Sequence, residues 1–405
     1  MGYGTGANRI VSFKRQSALG TIATTSGAAQ LRRADFSANW NRSTIENPEI
    51  RPDRQKAMAR GGMATGDLQW SGPVSPGSQS GFWDALVMGG YQSAVTSGAL
   101  TNVAAAATAP HFTRATGSWI TDGFRLGQVI RCTGWTTGGV GNNSRNFQII
   151  AITATQLTVV TRDGTAVAAK ASGDSVTFTA PGKYCYTPQS SFLDAYMTFD
   201  EWSPDVDVGG RDEVWWDARI TGGNFKADPN GNLVSQLNMT ALAYQKGNAQ
   251  YFSSPSAISA TDVCSTSTGL LVANGTVIGY ATGIDFNIDL KPDMPAVVNA
   301  SKYPFILASQ INVTGTLKAL WFDDTFDAAF LAETDIGIYA PFFNGPGAAA
   351  EFVNIGLPQT RLFSSKKNDG ITSTVREYTY IAGPNASAAT GTVQSTMFVQ
   401  DSLAP

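Results

Sequence analysis

An apolar–polar alternation with a period of two governs the C-terminal half of this chain. At 284–290, Ile284, Phe286, Ile288 and Leu290 are separated by Asp285, Asn287 and Asp289. Successive side chains of a strand point to opposite faces, so the pattern predicts a strand with one apolar and one acidic face. The rhythm continues through 305–321, where Phe305, Leu307, Ile311, Val313, Gly315, Leu317, Ala319 and Trp321 share one parity. Gln310, Asn312, Thr314, Thr316 and Lys318 hold the other. Long strands, or a hairpin turning near Gly315, both satisfy it. At 233–244, Leu233, Leu237, Met239, Ala241 and Ala243 alternate with Gln236, Asn238 and Thr240. Two segments break the rhythm. DDTFDAAFLAET, 323–334, opens with acids that suit a helix N-terminus, with Phe326, Phe330 and Leu331 facing the sheet. QSGFWDALVMGGY, 79–91, reads as a short helix capped by Ser80. The fold expected is mainly β: an antiparallel β-sandwich or barrel with a flanking α-helix.

Residues 1–60 read differently. Gly, Ser, Thr and Arg dominate, and Pro48 and Pro52 bracket NPEIRP, which excludes helix there. With few large apolar residues, this stretch is expected to be an extended N-terminal arm that finds its packing on another subunit. Two small-residue stretches, 96–110 and 179–188, read as linkers around short strands such as NFQIIAITATQLTVV. The expected division is an arm over 1–60, a first part of the main domain over 61–99, an inserted all-β domain over 100–183, and the rest of the main domain over 184–405.

Charge is uneven. The net charge is −3, yet residues 1–60 carry ten Lys and Arg against four Asp and Glu, and residues 181–405 carry twelve against twenty-two. A basic segment of one copy docking on an acidic surface of the next fits this split. The arm residues singled out are Arg33, Arg42, Glu46, Glu49, Arg51 and Arg54. The acidic surface candidates, for an interface or a channel lining, are Asp205, Asp207, Asp285 and Asp289.

Catalytic chemistry finds little purchase. The single histidine, His111, reads as a solvated loop residue, so triads and histidine zinc sites lack their central group. The three cysteines are odd in number and form no C-x-x-C, and read as buried thiols. GTGANR lacks the third glycine of a dinucleotide fingerprint, and no phosphate-cradling loop occurs. FDEWSPDVDVGGRDEVWWD, 199–217, gathers acids beside tryptophans, as a glycosidase cleft does. It also approaches a calcium loop, with Asp205 and Asp207 as first ligands. Gly209 then stands where a third oxygen belongs, and Trp216 where the bidentate Glu should be. No catalytic residue, metal or cofactor is expected. No apolar run approaches the ~20 residues of a membrane helix, and the N-terminus has no secretory pattern.

Several segments, in order, resemble the tail tube proteins of long non-contractile-tailed bacteriophages. They are LRRADFSANWNRSTIENPEIRPDRQ, ATGDLQWSGPVSPGSQSGFWDALVMGG, NGTVIGYATGIDFNIDL, QINVTGTLKALWFDDTFDAAFLAET and AEFVNIGLPQTRLFSS. They cover most of 10–95 and 184–382. GSWITDGFRLGQVIRCTG resembles a small β module of phage structural proteins. The resemblance implies a structural, non-enzymatic virion protein of tail-tube fold. Its subunits would form hexameric rings stacked head to tail, the conduit for genome DNA ejection. The implied partners are further copies of itself, a tape-measure protein, a tail terminator and baseplate or tip proteins. DNA would pass through the lumen without sequence-specific binding, and no membrane is involved. The implied location is the virion tail, after assembly in the host cytoplasm. Alternatives are another tail structural protein, a terminator or decoration protein, or a carbohydrate-binding or hydrolysing β-sandwich that uses Asp205, Asp207 and Glu213.

Overall fold

The computed structural model describes residues 5–368, 373–385 and 391–405. Its organising element is the strand Arg211–Ala227. The first half of that strand lies between Met197–Ser203 and Ala243–Gly247, and the second half between Val234–Ala241 and Ala281–Asp289, all antiparallel. Pairing continues outward on both sides. One side adds Arg60–Pro73 and then Asp35–Ile45. The other adds Asn312–Leu320, Val375–Ala382 and Phe352–Lys367.

The period-two pattern sets which face is buried. Phe36, Trp70, Leu237, Phe225, Phe286, Ile288, Val313, Leu317, Tyr380 and Leu362 all lie inside, each large side chain contributing about 1.5–3 kcal/mol by leaving water. Asn312–Leu320 is one unbroken strand. Gly315 sits within it because a Cβ there would collide with the Asp285 carbonyl and the Tyr380 hydroxyl. The sheet does not close into a barrel: among the described residues, Asp35–Ile45 is paired along one edge only.

Helix α1, Ser80–Leu86, covers the buried face, stacking Phe82 on Phe13 and tilting Trp83 against Phe225. Ser80 is not its cap. Gln79 occupies that position without a side-chain capping bond, and Ser80 Oγ donates to the Gly77 carbonyl at 3.0 Å. Helix α2, Thr325–Leu331, buries Phe326 and half-buries Phe330. Leu331, expected on the sheet, points to solvent, since this short helix is amphipathic over a single turn.

The first sixty residues are not uniformly an arm. Ile10–Arg15 pairs with Met197–Ser203, and Val11, Leu31 and Phe36 are buried in the main core. A few apolar side chains suffice because they fall at alternate positions beside a strand already in place. Past residue 40 the chain does leave the body, as the tip of the hairpin between Asp35–Ile45 and Arg60–Pro73.

Residues 95–180 build a seven-stranded sheet of their own, around Phe112, Trp119, Trp135, Phe147 and Phe178. The stretch 96–110 is strand and not linker: Val95–Leu100 and Val103–Ala106 both pair, with Val103 and Ala105 inside. Residues 183–186 pair with Phe398–Asp401. This second sheet is fastened to the first. Gln400 accepts from Val129 N at 3.0 Å and donates to Val129 O at 2.9 Å. Asn354 Nδ2 donates to Gly127 O at 2.9 Å. Gly127, at φ +84°, lies so close to the Tyr339 ring that a Cβ would overlap it.

Candidate assembly surfaces

The outer face of the main sheet follows from the register. Partners directly opposite share a face, so one row runs Asp35, Ser71, Gln236, Asn224, Asn287, Thr314, Ile381 and Arg361 across eight strands. The next parallel row runs Val234, Lys226, Asp285, Thr316, Thr379 and Ser364. Amides and hydroxyls dominate. Acids are interleaved with bases: Asp285 opposes Lys226, and Lys318 pairs with Glu377 at 3.4 Å.

The two candidate acids on this face are engaged. Asp285 accepts from Thr316 N at 2.7 Å and from the Thr316 hydroxyl. Asp289 lies 2.5 Å from Lys291 Nζ, and that hydrogen bond holds its carboxyl below the usual range. The face is polar and nearly balanced, not acidic.

The protruding hairpin tip carries five of the six arm candidates. Residues 41–56 are all exposed. Glu46 pairs with Lys56 at 2.7 Å, and Arg51 with Asp53 at 2.9 Å. Glu49 N donates to Asn47 Oδ1 at 3.2 Å, Arg54 turns the tip at φ 59°, and Arg42 stands opposite Ala64. Ile50 and Met58 are 96% and 90% exposed. Arg33 is elsewhere: its guanidinium donates to the Arg9 carbonyl inside the body, and burial, with Arg9 beside it, lowers its pKa.

The acid and tryptophan segment dissolves into separate structural contacts. Asp205 accepts from Thr5 N and Thr5 Oγ1, both at 2.8 Å, which lowers its pKa. Asp207 pairs with Arg211. Glu213 accepts from Tyr244 at 2.8 Å, and Asp217 from Gly20 N at 2.7 Å. Among the described residues, no group of three or more His, Cys, Asp or Glu is placed to hold a metal ion, and no helix is long and apolar enough to cross a membrane. His111 begins a strand, with Nδ1 2.8 Å from the Ala109 carbonyl. All three cysteines are free and buried.

The family model for phage tail tube proteins matches residues 6–394. The chain belongs to the phage tail tube protein family. Among curated proteins, none matches it. As a tail tube protein it is a structural component of the phage tail, assembling with itself and with other tail components. One feature of this tail tube protein escaped the sequence pattern. Phe322 and Leu331, at either end of α2, are each 80% exposed. Trp321 is flanked by Arg376 and Lys367, at 4.4 Å and 5.3 Å from its ring. Alternation puts Trp321 on the apolar parity and the helical spacing puts Leu331 on the sheet, while Phe322 falls between the two patterns.

Proposed function

We propose that copies of this chain join side by side into hexameric rings that stack head to tail around a tape-measure protein. The resulting tube, closed by terminator and baseplate proteins, is the conduit for genome DNA ejection. Assembly takes place in the host cytoplasm. The observation that carries this reading is the open main sheet, with one apolar face filled by its own core, one polar face left bare and one edge of its end strand, Asp35–Ile45, unpaired. An unpaired edge is a template for a neighbour's strand. The bare face then becomes the lumen, and its balanced amides and hydroxyls offer phosphate neither a cationic groove nor a base-reading surface. The hairpin tip, with exposed Ile50 and Met58 among its arginines, bridges to an adjacent ring. The 95–180 sheet is an inserted domain on the tube's exterior.

Negative-stain microscopy of the purified protein tests the reading. Tubes, or stacked rings of sixfold symmetry, are the expected result. A protein that stays monomeric at every concentration would sink it.

A further inference from the structure

Outside these surfaces lies a buried group with no role in them. Asp200 and Asp212 sit on one face of the sheet: Asp200 is opposite Val214, and Asp212 is two residues before Val214 on the same strand. Both are buried, as is Ser12, which faces Asp200 from the neighbouring strand. The Asp212 carboxyl is within hydrogen-bonding reach of Asp200. One oxygen of each carboxyl, and the Ser12 hydroxyl, find no other partner. Two ionised carboxylates in such contact, shielded from water, repel strongly, and one proton between them removes the repulsion and supplies the missing donor.

Over this pair lies a strap, residues 249–256. Phe252 N donates to Asp200 Oδ2 at 2.9 Å, and the Tyr251 backbone lies close to Asp212. The strap in turn holds the N-terminal segment 21–30. Ser253 N donates to Thr25 O, Ser256 N to Ala28 O and Gln30 N to Ser256 O, each at 2.9 Å. Tyr251 OH reaches Ala23 O at 2.7 Å, and Phe252 packs on Ala23 and Ala28.

We propose that Asp200 and Asp212 share one proton, and that this proton clasps the strap and the N-terminal segment to the sheet, so that both loosen as the pH rises. The other charged groups nearby do not replace it. Lys14, on the Ser12 strand, spends its ammonium on Thr24 Oγ1 and Ser26 O, at 2.5 and 2.6 Å. Arg211 is bound to Asn248 and Asp207. Lys246 pairs with Glu213 at 3.1 Å, and Glu213 adds negative charge near the pair. The Tyr251 phenol is held on Ala23. Burial, and then Asp200, push the Asp212 carboxyl up to about 9. The sign follows: a folded-state value above the unfolded one gives stability that is full at low pH and is lost as pH rises through the folded value.

The test is amide hydrogen exchange on the full chain from about pH 6 to about pH 10, corrected for intrinsic rates, with infrared spectra of the carboxyl region. At Ala23, Phe252, Ser253 and Ser256 the opening equilibrium should grow about tenfold per pH unit below the raised value, one proton being released on opening. In Asp212→Asn, which keeps a donor and sheds the charge, it should be flat. Wild-type protein at neutral pH should show a protonated carboxyl band that disappears in alkali, a reading independent of whether the variant folds. Equal pH dependence in both proteins, or absence of that band, would overturn the proposal. So would exchange governed by added divalent cation and chelator, which would mean that a cation, and not a proton, lies between the carboxyls.

Discussion

The two large sheets of this molecule answer the same problem in opposite ways. The 95–180 sheet curls around its own aromatic cluster, and Val140 is its one large apolar residue counted as exposed. The main sheet fills one face and leaves the other bare over its second half, beyond the strap. On the main body Ile45, Ile50, Met58, Phe322, Leu331 and Phe363 project into solvent. Scattered exposed apolar residues mean little, but their confinement to one of two regions does. It favours the main body for the assembling surfaces proposed above, the second sheet exposing little apolar surface on its outer side.

Removing residues 46–59 of the hairpin and joining the strands by a short turn attacks this contrast most directly. Circular dichroism should show a folded subunit, and microscopy should show no tubes. Normal tubes from that protein would move assembly away from the hairpin. A next, smaller effect concerns the seam between the sheets. Gly127→Ala places a Cβ against Tyr339 in a left-handed backbone and should destabilise by about 2–3 kcal/mol in thermal unfolding. Gln400→Ala, which orphans both backbone groups of Val129, should cost a similar amount. If either variant melts like the wild type, the sheets are less coupled than their shared core implies.

Ile50→Asp and Met58→Asp should leave monomer stability within about 0.5 kcal/mol and still slow tube growth measured by light scattering. Val140→Asp should change neither. The smallest effect belongs to Asp289, whose lowered carboxyl pKa adds stability above the unfolded value that disappears as pH falls through the folded one. The pair with Lys291 is partly exposed, so Asp289→Asn should cost no more than about 0.5 kcal/mol, less in high salt. A larger loss would show that the polar face carries structural load.

How much was legible in the sequence depended on how strictly a segment alternated. Ile284, Phe286, Ile288 and Leu290 are buried as the period demands, with Asp285, Asn287 and Asp289 outside. The strands at 95–106 are not legible in the sequence because alanine and glycine carry almost no strand signal. Their pairing is decided by partners such as Val176–Ala180, far along the chain. Arg33 and Arg51 look alike in sequence. One turns its guanidinium onto the Arg9 carbonyl and the other stands exposed on a loop tip, a difference set by tertiary packing. The acids of 199–217 read as a cluster because they are adjacent in sequence. Strand alternation sends Asp200 and Asp212 to one face and Glu201 and Glu213 to the other.

The strand Arg211–Ala227 runs seventeen residues through both halves of the main sheet, its register shifting between Ile220 and Gly222. Its ladder bonds lie crosswise to the chain on both edges. A pull along this strand therefore loads many bonds at once in shear, instead of opening them one by one as peeling does. For a tail tube under load, the direction in which this strand lies would matter as much as the number of bonds it makes.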